Sequence, residues 1–206
     1  MERNSNIIGL SELELIADKL GILKPSIANL KEPDIPLDLL NKFQTAPKSY
    51  ILILGWNQFK DGSILSLNKM REHFGYDPAE GEPCFYNQDW YLKDDFANAN
   101  NLKFKWYLLH KEIDSASRGV LPNFDSLDIK GVLPNALLCS YTFFAYYFLR
   151  GIHLWKNDFV WCKDVDHNGD QIYVGKYIDP SGTNKNGFEI HRHLKISKQY
   201  GIISCQ

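Results

Sequence analysis

An α+β domain is what this sequence predicts, on three observations. From Ala136 to Leu149 runs an apolar stretch, interrupted by Ser140 and Thr142 and closed by Arg150-Gly151, that reads as a helix buried in a core. Asn168-Gly169, between "FVWCKDVD" and "QIYVGKY", reads as the turn of a β-hairpin, because both residues tolerate positive φ. "YILILGW", Tyr50 to Trp56, is a continuous run of branched apolar residues, the pattern of a buried strand. The expected architecture is a mixed domain with a buried helix at about 135–150 and a C-terminal antiparallel β-sheet.

The elements follow in order. Residues 1–45 are expected as a helical arm, loosely attached to an α+β domain at 46–206. Ser11 is read as the cap of an apolar pattern at Leu10, Leu13, Leu15 and Ile16, and Gly21 suits the helix end. Pro25, Pro33 and Pro36 then keep any further helical turns short. After "YILILGW", "SILSLNKMREHFG" offers Ser63 or Ser66 as a cap, Leu67, Met70 and Phe74 at helical spacing, and Gly75 as the stop. "CFYNQDWYLKDDFAN" is aromatic and acidic, a surface loop with short helical turns, and "LKFKWYLLHKEI" is a strand with Phe104, Trp106 and Leu108 on one face. "GVLPN" occurs at Gly119–Asn123 and again at Gly131–Asn135, too short and too few for a repeat architecture; the second copy introduces the buried helix. From Asp158 the chain turns to short strands, ending in "GFEIHRHLKI" and "YGIISCQ".

Composition narrows the function classes. With 206 residues, 44% apolar and 14% aromatic, the chain can bury a core. A net charge of -2 argues against a nucleic-acid binder. The apolar run is short of the ~20 residues that span a bilayer, so no membrane span is expected. No basic, then apolar, leader opens the chain, and Cys84, Cys139, Cys162 and Cys205 form no Cys-x-x-Cys pair. The expectation is a protein of a reducing compartment, the cytoplasm, or one exported without a standard signal; two disulfides in an exported protein remain an alternative.

Several constellations could carry chemistry. Asp164, Asp166 and Asn168 alternate ahead of Gly169 as in a calcium loop, but the twelfth position is Gly175, where an EF-hand needs a bidentate Glu. Asp164, Asp166 and Asp170 could hold an ion only weakly. His191 and His193, at i and i+2 on a strand, would share a face and could begin a zinc site with His110 or His153, yet spacing fixes no third ligand. The expectation is therefore no metal and no cofactor. P-loop, dinucleotide and nucleophile-elbow motifs are missing. A hydrolase would have to use Cys84, or Asp89 with Asp94-Asp95 near Trp90 and Tyr91. "GFEIHRHLKISKQY" mixes polar side chains with sparse apolar anchors: Phe188, Ile190, Leu194 and Ile196 inward, Glu189, His191, His193 and Lys195 outward. That mixture suits a recognition face, and equally an ordinary solvated strand.

Taken together, "SLNKMRE", "DWY", "WYLLHKEI", "VLPNALLCSYTFFAYYFLRGIHLW", "VWCKDVDHNGDQIYVGKY" and "GFEIHRHLKISKQYGIISC" resemble a family of uncharacterised bacterial proteins. Its hairpin and final segment look similar to the C-terminal part of C-type-lectin-like domains, including the variable proteins targeted by diversity-generating retroelements. The resemblance covers roughly residues 50–206. It implies a C-type-lectin-like α+β fold whose final segment displays ligand-contacting side chains, with Gly187, Phe188 and Ile190 as anchors. Glu189, His191, Arg192, His193, Lys195, Ser197, Lys198 and Gln199 would then be displayed, supported by Tyr173, Tyr177 and Tyr200. The Glu-Pro-Asn and Trp-Asn-Asp motifs of calcium-dependent sugar binding are missing, which favours a protein or other macromolecular ligand. The expected function is recognition without catalysis. The alternatives are the hydrolase above, or an assembly subunit with residues 1–45 as a docking arm.

Overall fold

The computed structural model describes residues 6–99, 102–124, 133–177, 187–193 and 197–206. The described chain is α+β, with two mixed sheets that both contact one buried helix. The first sheet has the order β1 (Ile7–Ile8), β2 (Tyr50–Leu54), β3 (Trp106–His110), with β1 parallel and β3 antiparallel to β2. All of Ile51 to Leu54 is buried, as a strand covered on both faces requires. Trp106 to Leu109 is buried in the same way, so the one-faced pattern expected around Phe104 is replaced by a two-faced one.

Helices α1 (Leu10–Leu20), α2 (Pro25–Ala28) and α3 (Leu37–Thr45) precede β2. Leu13, Ile16, Ala17 and Leu20 of α1 lie in the same core cluster as β2 and β3. Leu39 and Phe43 of α3 lie in that cluster as well. Helix α4 (Leu67–Phe74) starts where Ser66 accepts the Lys69 N–H (3.2 Å) and stops at Gly75. The short α5 (Asp95–Asn98) follows the aromatic-acidic loop.

The apolar run forms α6 (Ala136–Arg150), whose first eleven residues are buried. Asn135 caps it by accepting the Leu138 N–H (2.6 Å), and Gly151 ends it with φ 68°. Among the described residues no helix is long and apolar enough to cross a membrane.

The second sheet has the order β6 (Glu189–His191), β5 (Gln171–Gly175), β4 (Phe159–Val165), β7 (Tyr200–Gly201). β4, β5 and β6 are antiparallel, as expected, but β7 pairs parallel with β4, so the sheet is mixed. One face, carrying Val160, Cys162, Ile172, Val174 and Ile190, joins the main core; the other carries an aromatic cluster of Phe159, Trp161, Tyr173 and Tyr200 with Leu133. Beyond β7 the chain runs along β3, where Gln206 and Leu108 exchange backbone hydrogen bonds of 3.0 Å, so the C-terminal segment ties the two sheets together.

Candidate functional site

The hairpin tip decides where the candidate side chains sit. Gly169 N–H donates to the Asp166 carbonyl (3.0 Å) and Gly169 takes φ 87°, whereas Asn168 does not enter the positive region. This is a three-residue loop, one longer than a two-residue Asn-Gly turn. Asp166 makes the difference: its Oδ1 accepts the N–H groups of Asn168 (2.9 Å) and Asp170 (2.8 Å), and its Oδ2 pairs with Arg192. Burial pushes the Asp166 carboxyl up, but the Asp170 N–H, Arg192 and the Asn168 N–H outweigh it and hold it down at about 2. Asp164, the first residue of the calcium-like pattern, turns away. Its Oδ2 accepts the Ala136 N–H (2.5 Å) at the start of α6, and burial raises its pKa.

Residues 84–88 lie along β6 as an extra edge. Phe188 N–H donates to the Cys84 carbonyl (2.7 Å) and Tyr86 N–H to the Phe188 carbonyl (2.8 Å). Gly187 permits this approach, since a Cβ there would lie 2.1 Å from the Phe85 carbonyl carbon and oxygen. Gln88 is thereby brought beside His191. Its Oε1 accepts the Ile190 N–H (3.3 Å) and its Nε2 donates to His191 Nδ1 (3.2 Å), so the imidazole proton sits on Nε2, which donates to Glu189 Oε2 (2.7 Å). Both nitrogens of His191 are occupied, and neither is available to a metal.

Farther along, Arg192 lies over the Trp90 ring (4.4 Å to the centroid) while pairing with Asp166. His193 lies past the end of β6 with φ 62°, which turns its ring to Asp170 on the hairpin. The expectation that His191 and His193 share a strand face therefore fails, because the strand ends between them. Across the tip, His167 Nδ1 meets Asp94 Oδ1 at 2.7 Å. Three separate segments thus build one corner: residues 88–94, the β4–β5 tip, and 189–193. His167 and His193 are more than half exposed there.

The remaining sequence-predicted residues fall into three groups. Glu189, Tyr173 and Tyr200, expected at or behind a displayed face, are buried; alternation does put Glu189 and His191 opposite Phe188 and Ile190, but that second face is covered by the aromatic cluster. Tyr177 is half-buried against the same cluster. Ser197, Lys198 and Gln199 form the turn before β7, where Arg118 donates to the Lys198 carbonyl (3.1 Å) and forms a bidentate pair with Asp158 (2.6 and 2.7 Å). Lys195 lies outside the described residues. His110 and His153, weighed as further zinc ligands, line two other clefts, the first of about 720 Å3 with Ser49, Glu112, Asp114 and Ser204.

Cys84, one of the residues named for the hydrolase alternative, lies among buried residues. Burial together with nearby Glu82 pushes its thiol up to about 11, so the thiolate is suppressed. Asp89 is exposed, and the histidine–carboxylate pairs use Asp94, Asp170 and Glu189 instead. In the sequence Asp94 and Trp90 lie in one loop and Asp166 and Asp170 in another, and no local pattern signals that His167, Gln88 and Arg192 join them. No family model matches the chain, and no curated protein or solved structure is similar enough to count as a match.

Proposed function

We propose that this protein is a recognition module, with no chemistry of its own, that binds a protein ligand through the corner formed by Trp90, His167, Asp170, Arg192 and His193. The observation that carries this reading is the placement of Arg192: its guanidinium is stacked on Trp90 and paired with buried Asp166, while exposed histidines flank it. A fixed aromatic–arginine pair with adaptable polar neighbours is the composition of a binding hot spot. The reading moves the recognition surface from the flat strand face to the end of the sheet. A C-type-lectin-like arrangement fits it, in that a buried helix precedes a hairpin and a final segment which together carry the surface.

Site-specific photo-crosslinking tests the proposal. A photoreactive residue in place of exposed His193 should capture a discrete partner in the cells that make the protein. The same residue at Lys48, in the cleft beside β3, should not. Equal capture at both positions, or capture from Lys48 alone, rules the corner out.

A further inference from the structure

Two overlapping groups of potential metal ligands meet at the hairpin tip, Asp94–Asp166–His167 and Asp166–Asp170–His193, and within each the ligand atoms lie within 4.8 Å of one another. The first has a feature that the second lacks. Asp94 is only 6% exposed, and its Oδ2 is buried with no hydrogen-bond partner. Asp94 stands at the N-cap of α5, yet its side chain does not cap that helix and turns to His167 instead. A buried carboxylate oxygen without a donor is costly, and a cation is what relieves it.

We propose that the tip binds one divalent transition-metal ion of the zinc class between Asp94, Asp166 and His167. Charge favours it: among the described residues of the two groups and their partners, three carboxylates face one guanidinium, which leaves a deficit of two positive charges when both imidazoles are neutral. Asp166 has room for the ion. A carboxylate offers about four lone-pair sites, and the Asn168 N–H, the Asp170 N–H and Arg192 take three. The donor set of one imidazole nitrogen with carboxylate oxygens suits zinc-like ions, whereas calcium requires six or more oxygens. Bonds of ~2.0–2.1 Å at tetrahedral angles hold ligand atoms ~3.3 Å apart. His167 Nδ1 and Asp94 Oδ1 are now 2.7 Å apart, so the ion takes the place of their shared proton with a small displacement, and the Asp94 carboxylate holds it through both oxygens, Oδ2 included. The inference goes beyond the recognition reading and does not depend on it, because metal binding is read on this chain alone.

The test is calorimetric titration of ZnCl2 into the chelator-treated full-length protein, with Co2+ absorption as an independent report of the ligand field. One saturable site per chain is expected. His167→Ala, whose side chain is 58% exposed and removable without unfolding, should weaken binding at least about tenfold. Asp94→Asn should do the same in protein whose circular dichroism is unchanged. His193→Ala and His153→Ala should bind within about threefold of wild type. The absence of saturable binding overturns the proposal. So does His167→Ala binding like wild type, including the case in which His193→Ala abolishes binding and places the ion in the second group.

Discussion

Asp166 shows how much one side chain can organise. Its carboxylate joins the hairpin tip to the chain after β6, through two backbone N–H groups and Arg192, and its side chain is 0% exposed. Removing it leaves a guanidinium without its partner and two turn N–H groups without an acceptor. Asp166→Ala should therefore cost about 3 kcal/mol, the scale for breaking a buried ion pair. Asp166→Asn should cost less, since an amide oxygen can still accept the turn N–H groups. Urea unfolding of the two variants measures this, and an Asp166→Ala midpoint equal to wild type would show that the carboxylate organises nothing. The alternation Asp164, Asp166, Asn168 was legible as an unusual loop, but the separate task of each acid was not. Asp164 serves the N-terminus of α6, whose Ala136 N–H is remote in sequence, and no local pattern encodes that partnership.

At the scale of elements, helices and strands whose own residues decide them were readable from sequence. α6 announced itself by length and apolarity, and α4 by Ser66, its apolar spacing and Gly75. β6 was readable as alternation but not as a covered strand, because what covers it comes from residues 84–88 and the aromatic cluster, neither adjacent in sequence. Gly187 holds that arrangement open. Gly187→Ala drives a methyl group into the Phe85 backbone, which cannot yield as a flexible side chain can. The expected cost is about 2 kcal/mol or more. Hydrogen exchange should show lost protection at Phe188 and Tyr86, whose N–H groups make the paired contacts; unchanged protection there would contradict the packing described. Asn135→Ala, which removes the α6 cap, should cost about 1 kcal/mol in thermal or urea unfolding and leave the Gln88–His191 contact untouched.

For the molecule as a whole, the class α+β was legible and the assembly was not. The order of the sheets, the parallel pairing of β7 with β4, and the run of 202–206 along β3 depend on non-local pairing that periodicity does not report. The same assembly partly buries histidines from distant parts of the chain, and that has a measurable consequence. His73 on α4, His110 on β3 and His153 after α6 all have pKa values lowered below 6.5, with burial the largest cause in each and Lys60, Lys42 and Lys176 adding to it. At and below pH 6.5 the unfolded chain thus binds more protons at these positions than the folded protein does. Their contribution is fully present above pH 6.5 and is lost as pH falls through the lowered folded values. Tm should therefore fall between pH 7.5 and pH 5. His153 isolates the effect: its ring stacks on Tyr147 (4.6 Å between centroids), and its Nδ1 is buried without a hydrogen-bond partner. His153→Phe keeps an aromatic ring against Tyr147 and removes the titrating group, so its Tm should fall less steeply over the same range. A variant that loses Tm as steeply as wild type would mean that His153 is not among the groups that make the fold sensitive to acid.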